Sequence, residues 1–66
     1  MLKRLGQNIS SIRKRKKIPL EKFAWDIEVA RSYLYKIEQG EANPTMNTLI
    51  KIAKGLNVKV KELIDF

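Results

Sequence analysis

The spacing of the apolar residues constrains this chain more than any other feature. They recur every three or four positions in short segments, and each segment is cut off by a residue that ends a helix. Leu2, Leu5, Ile9 and Ile12 form one stripe, Leu20, Phe23, Ala24 and Ile27 a second, and Leu34 and Ile37 a third. Met46, Leu49, Ile52, Ala53 and Leu56 make a fourth, and Val60, Leu63 and Ile64 a fifth. A period near 3.6 marks helices with one buried face; a strand alternates with period two, and no segment here does so. The punctuation agrees. Pro19 stops the first helix and suits the first position of the second, where its missing N–H costs nothing. Gly40 suits a left-handed terminator, Asn43-Pro44 an extended turn, Thr45 an N-cap and Asn57 a helix end. The expectation is a single all-α domain over 1–66: a five-helix bundle with short connections. Its second helix is expected over about 19–27, its third over about 31–39, its fourth after Thr45 and its last within 58–66.

Composition narrows the chemistry. A chain of 66 residues buries only about 60% of the surface its unfolded form exposes, so its stability is marginal and self-association would help. There is no cysteine to form a disulfide or a thiolate metal site, and no histidine, the commonest general base and metal ligand. No phosphate-binding loop and no inward pair of carboxylates is visible. An enzyme is therefore not expected, nor is a cofactor or metal. The formal net charge is +7, with nine basic and three acidic residues in 1–33 against five and four in 34–66. Such an excess is the footprint of a polyanion binder. A hydrophobic content of 44% argues against a disordered basic tail. The longest apolar runs have three residues, as in Phe23-Ala24-Trp25, so neither a signal-peptide core nor a membrane span is expected. Asn8-Ile9-Ser10 matches a glycosylation acceptor by chance on this reading, and a cytoplasmic location is the expectation.

The second and third helices are separated only by the tight connection Glu28-Val29-Ala30. That is the geometry of a helix-turn-helix, whose second helix enters the major groove of DNA. From Leu5 to Ile64 the chain resembles the phage-repressor and Cro-like, or XRE-like, helix-turn-helix regulators. The residues that carry the resemblance are Ile9-x-x-Ile12-Arg13, then Phe23-Ala24-x-x-Ile27, then Arg31-Ser32-Tyr33-Leu34-x-Lys36-Ile37-Glu38-x-Gly40. Asn43-Pro44-Thr45 and Thr48-Leu49-x-x-Ile52-Ala53-x-x-Leu56-x-Val58 complete it.

The resemblance implies a sequence-specific regulator that binds double-stranded DNA as a homodimer on a short inverted repeat. Its recognition helix is 31–39, and Arg31, Ser32, Tyr35 and Lys36 occupy the positions that meet base edges. Arginine can bridge the O6 and N7 of guanine, and serine can serve either purine. Lys17, Lys22, Tyr33 and Asn43 are assigned to phosphates. Arg13 is expected to pair with Glu38 and tie the recognition helix to the first. The last helix, with Val60, Ile64 and Phe66, is assigned to an isologous dimer interface that would set two reading helices one DNA turn apart. Any signal would act through concentration, dimerisation or a separate regulatory partner protein, and a bacterial, phage or plasmid origin is implied. Restriction-modification controllers, prophage switches and antitoxin-type regulators use chains of this kind.

The chain departs from that pattern at several positions. Pro19 and Leu20 stand where Ser or Thr and a phosphate-holding Gln are usual. Lys17 and Glu28 replace glycines, each at a cost of about 1 kcal/mol if the backbone there is left-handed. Ala30 replaces a small polar cap, which forfeits about 1 kcal/mol. Glu41-Ala42 stands where basic residues often face phosphates. Three features have two readings each. Tyr33 and Tyr35 could stack on single-stranded bases, or could serve packing, phosphate and thymine-methyl contacts. Trp25 is either a partner-binding hot spot or half-covered by the first helix or the chain start. Val60 or Ile64 either completes the core or faces a second subunit. The same fold could also serve as a protein-interaction module with weak or no specific DNA binding.

Overall fold

The computed structural model describes residues 2–64. Among them the chain forms α1 (Leu2–Arg15), α2 (Leu20–Asp26), α3 (Arg31–Glu38), α4 (Met46–Leu56) and α5 (Val60–Leu63), with no strand. α1 and α2 both pack against α3, and α5 lies across α4 and α1. The stripes converge on one core in which Ile9, Phe23, Leu34, Ile37, Ile52, Leu56 and Leu63 are fully shielded.

Several boundaries differ from the expectation. Pro19 is the N-cap of α2 rather than its first helical residue; its extended backbone (ψ 147°) lets its carbonyl accept from Phe23 N at 3.0 Å. α3 stops at Glu38, with Gln39 as its C-cap, and α5 has only four residues. Met46 belongs to the apolar stripe of α4 yet is 60% exposed. Helical side chains lean toward the N-terminus, so the first residue of α4 leans past the helix end instead of over the core. Thr45 caps α4, its Oγ1 accepting from Thr48 N at 3.2 Å.

α1, α2, α3 and α4 end in the same way. In each, a left-handed residue follows the last turn: Lys17 (φ 59°), Glu28 (φ 60°), Gly40 (φ 76°) and Asn57 (φ 58°). The next amide then reaches back five residues: Ile18 N to Arg13 O, Val29 N to Ala24 O, Glu41 N to Lys36 O and Val58 N to Ala53 O, at 2.8–3.2 Å. Each left-handed residue bonds back three, which completes a Schellman motif and satisfies two terminal carbonyls. Only one of the four positions carries glycine. A side chain pays about 1–2 kcal/mol for the left-handed conformation, partly offset by the greater freedom glycine would have when unfolded. Glu28→Gly should therefore raise stability by about 0.5–1 kcal/mol. Glu28→Gln, which keeps the side chain and removes the charge, should leave it near the parent. Chemical denaturation of the three proteins checks this, and equal midpoints for Glu28→Gly and Glu28→Gln would refute it.

Candidate nucleic-acid interface

α3 divides its residues cleanly. Leu34, Ile37 and Glu38 are buried, whereas Arg31, Ser32, Tyr35 and Lys36 are exposed along the opposite side. Positions one, two, five and six of a helix share one face, so these four side chains form a contiguous polar strip over two turns. Tyr33, next to them in sequence, is half-buried and packs against the core. No side chain caps the start of α3, since its N-cap residue is Ala30.

Three devices hold the strip in place. The first is the apolar underside of α3, set on the core. The second is a bidentate pair: Arg13 Nε donates to Glu38 Oε2 at 2.8 Å and Arg13 Nη2 donates to Oε1 at 3.0 Å. Arg13 Nη1 also donates to the Ile18 carbonyl at 2.7 Å. One guanidinium therefore ties α1, the α1–α2 connection and the end of α3 together. Both side chains are at most a tenth exposed, so the pair sits where screening is weak. The third device is a close approach between helices. A Cβ on Gly6 would fall 2.5 Å from the Ile37 carbonyl oxygen and 2.7 Å from the Glu38 carbonyl carbon. Sequence reasoning passed over Gly6, although a glycine in a helix interior costs about 1 kcal/mol relative to alanine and so signals a packing demand. A further tie that only the structure displays is Asn8, whose Nδ2 donates to the Leu63 carbonyl at 2.9 Å and anchors α5 to α1.

The residues assigned to phosphates are less uniform. Lys17 and Asn43 are exposed, Lys17 as the left-handed residue after α1 and Asn43 just before the buried Pro44. Lys22 is exposed but paired, with Nζ 2.8 Å from Asp26 Oδ2 one turn along. A pair this open to solvent is worth a few tenths of a kcal/mol, so it is a small obstacle to an incoming phosphate. Of the residues assigned to a dimer interface, Val60 is half-buried against the core, Ile64 is 45% exposed and Phe66 lies outside the described residues. The α5 residue that completes the core is Leu63. Trp25 is 84% exposed, so no described residue covers it.

Among the described residues no group of three or more acidic, His or Cys side chains could hold a metal ion, and no helix is long and apolar enough to cross a membrane. What the fold and this face define is a helix-turn-helix: α2 and α3 joined by residues 27–30, with the second helix presenting an exposed, cationic, hydrogen-bonding surface. Comparison with known proteins makes the assignment specific. Residues 9–63 match the model of the helix-turn-helix family HTH_3. Over 62 residues the chain is 37% identical to the control protein C.BamHI of Bacillus amyloliquefaciens, covering 92% of this chain and 76% of that protein. Two longer curated relatives are spanned to only 42% and 41% of their length. The fold superposes on the restriction-modification controller C.AhdI of Aeromonas hydrophila with a TM-score of 0.91 at 29% identity, covering 94% of each chain. It superposes on the biofilm regulator SinR of Bacillus subtilis, solved in complex with DNA, with a TM-score of 0.88 at 39% identity, covering 92% of this chain and 98% of that one. The chain belongs to the HTH_3 helix-turn-helix family.

Proposed function

We propose that this protein is a non-enzymatic transcriptional regulator that reads double-stranded DNA through α3, acting as a homodimer on a short inverted repeat in the bacterial cytoplasm. The observation that carries the reading is the exposed strip of Arg31, Ser32, Tyr35 and Lys36 on a helix whose other side is locked to the core. A reader of base edges needs such a rigid support, because a hydrogen bond to a base discriminates only if its donor cannot drift. Arg31 and Lys36 would address guanine edges, Ser32 either purine, and Tyr35 thymine methyl groups. Lys17, Lys22, Tyr33 and Asn43 would hold the flanking phosphates. Support comes from the family itself: SinR was solved with DNA, and the controller C.Esp1396I as a tetramer with its 35 base-pair operator. Ile64, exposed beside the short α5, would contribute apolar surface to the dimer together with Val60 and Phe66. A separate regulatory protein would modulate the dimer.

A second reading, a protein-interaction module, is favoured by the exposure of Trp25. Salt separates the two. Two lysines per subunit at phosphates give about four contacts in a dimer, so log affinity for duplex DNA should fall against log salt with a slope of about −4. Titration between low and physiological salt measures it. A slope close to zero would remove the DNA reading in favour of the interaction module.

A further inference from the structure

α1 carries a row of polar residues that the core does not use. Lys3, Gln7, Ser10 and Lys14 recur at spacings of four, three and four, which sets them on one side of the helix. With Gln39 they line an open groove of about 470 Å³ between α1 and the end of α3. Its one acidic residue is Glu38, whose carboxylate is already taken by Arg13. Neither Lys3 nor Lys14 has a side-chain hydrogen bond or ion pair within the described residues. The groove therefore holds two uncompensated ammonium groups beside neutral hydrogen-bond donors. Its walls are fixed. Gly6 brings α1 onto the Ile37 and Glu38 carbonyls, and a Cβ on Gly40 would fall 2.9 Å from Lys3 Cα. Gln39 N donates to Tyr35 O at 3.0 Å, which holds Gln39 in helical register one turn beyond Tyr35.

The start of α2 supplies nothing comparable: Pro19 and Leu20 carry no side-chain donor, and Glu21 adds a carboxylate. We propose that the groove between α1 and α3 holds the DNA backbone, Lys3 and Lys14 each pairing with a phosphate and Gln39 serving as a neutral donor. The inference rests on the reading of α3 as the helix that enters the major groove. α3 has eight residues and is about 12 Å long, close to the ~12 Å width of the major groove, so its ends come up against the phosphate walls. Lys3 and Lys14 lie about 16 Å apart along α1, a span that suits two phosphates better than one. Phosphate contacts fix register and orientation but carry no sequence information. The groove therefore sets how firmly α3 is seated, not which bases it reads.

The test is binding by the full chain, as a function of salt, to the duplex it enriches from a random pool and to a scrambled duplex of equal length. These contacts add to the four counted for Lys17 and Lys22, so the parent slope should steepen from about −4 to about −7. Lys3→Gln with Lys14→Gln should make the slope shallower by about 3–4. The same pair should weaken both duplexes alike, by at least about tenfold at about 150 mM salt. Lys3→Arg with Lys14→Arg should keep the parent slope, because a phosphate needs only the charge. Lys51→Gln with Lys54→Gln removes the same charge from α4, outside the groove, and should change the slope by less than about 1. A slope that the groove Gln pair leaves unchanged, an equal loss in the α4 pair, a loss confined to the enriched duplex, or a loss that the Arg pair shares would each overturn the proposal. A parent slope of about −4 that the groove variants do not move removes the groove and leaves the reading of α3 intact. A parent that enriches no duplex removes both.

Discussion

Arg13→Ala should cost this domain about 3–5 kcal/mol, while Lys14→Ala, one residue along the same helix, should cost no more than about 0.5. The difference follows from what each change leaves behind. Lys14 is exposed at the end of α1, and its removal orphans nothing. Removing Arg13 takes three hydrogen bonds at 2.7–3.0 Å and leaves the Glu38 carboxylate buried without its cation. The penalty is that of an uncompensated buried charge rather than the net worth of the pair, which can be near zero. A domain of this size has roughly 3–10 kcal/mol in total, so Arg13→Ala should be partly or wholly unfolded at 37 °C. A double variant, Arg13→Met with Glu38→Leu, should recover most of the loss, because it removes both charges and keeps apolar volume. Thermal unfolding followed by circular dichroism decides the matter. Equal melting temperatures for Arg13→Ala and Lys14→Ala would contradict it.

The second large effect is expected at Gly6. In an isolated helix Gly6→Ala should be favourable by about 1 kcal/mol. Here it should be unfavourable by about 2–3 kcal/mol, because the added methyl would run into the Ile37 and Glu38 carbonyl groups. These are backbone atoms, and they cannot turn aside as a side chain would. α1 has to lift from α3, which also stretches the Arg13–Glu38 pair. Gln7→Ala, on the exposed side of the same helix turn, serves as the control and should lie within about 0.5 kcal/mol of the parent. A neutral or stabilising Gly6→Ala would show that the two helices are not in the contact described.

Both residues illustrate what could and could not be read from the chain. The five helices were legible because the 3.6 period of the apolar residues and the terminators Gly40 and Asn57 are local signals, written within a few positions of where they act. The position of Pro19 was less so, since an N-cap and a first helical residue are both natural places for proline. Gly6, a glycine inside α1, signals a packing demand but not the partner that makes it. Its demand arises where two helices cross at positions more than thirty residues apart, Gly6 on α1 and Ile37 and Glu38 on α3, and no pattern along α1 reports that crossing. Glu38 is 25 positions from Arg13, and spacing alone does not pair them; only the family resemblance suggested it. Met46 and Trp25 mark the opposite limit. Periodicity assigns a side of a helix, but whether that side is covered depends on what lies beyond the helix end or on the neighbouring surface.

The reading of α3 as a DNA-recognition helix rests on a strip of four exposed side chains, and one measurement bears on it most directly. Duplexes would be selected by the full chain from a random pool at about 150 mM salt and then sequenced. A rigid helix on a symmetric dimer should enrich a two-fold symmetric motif whose half-sites lie about one helical turn, or 10–10.5 base pairs, apart. Arg31→Ala should relax the preference at one base pair of each half-site, at a cost of about 1–3 kcal/mol per contact. Absence of any enriched sequence, or an enriched motif that Arg31→Ala, Tyr35→Ala and Lys36→Ala all leave unchanged, would contradict the assignment of α3 as the reading helix.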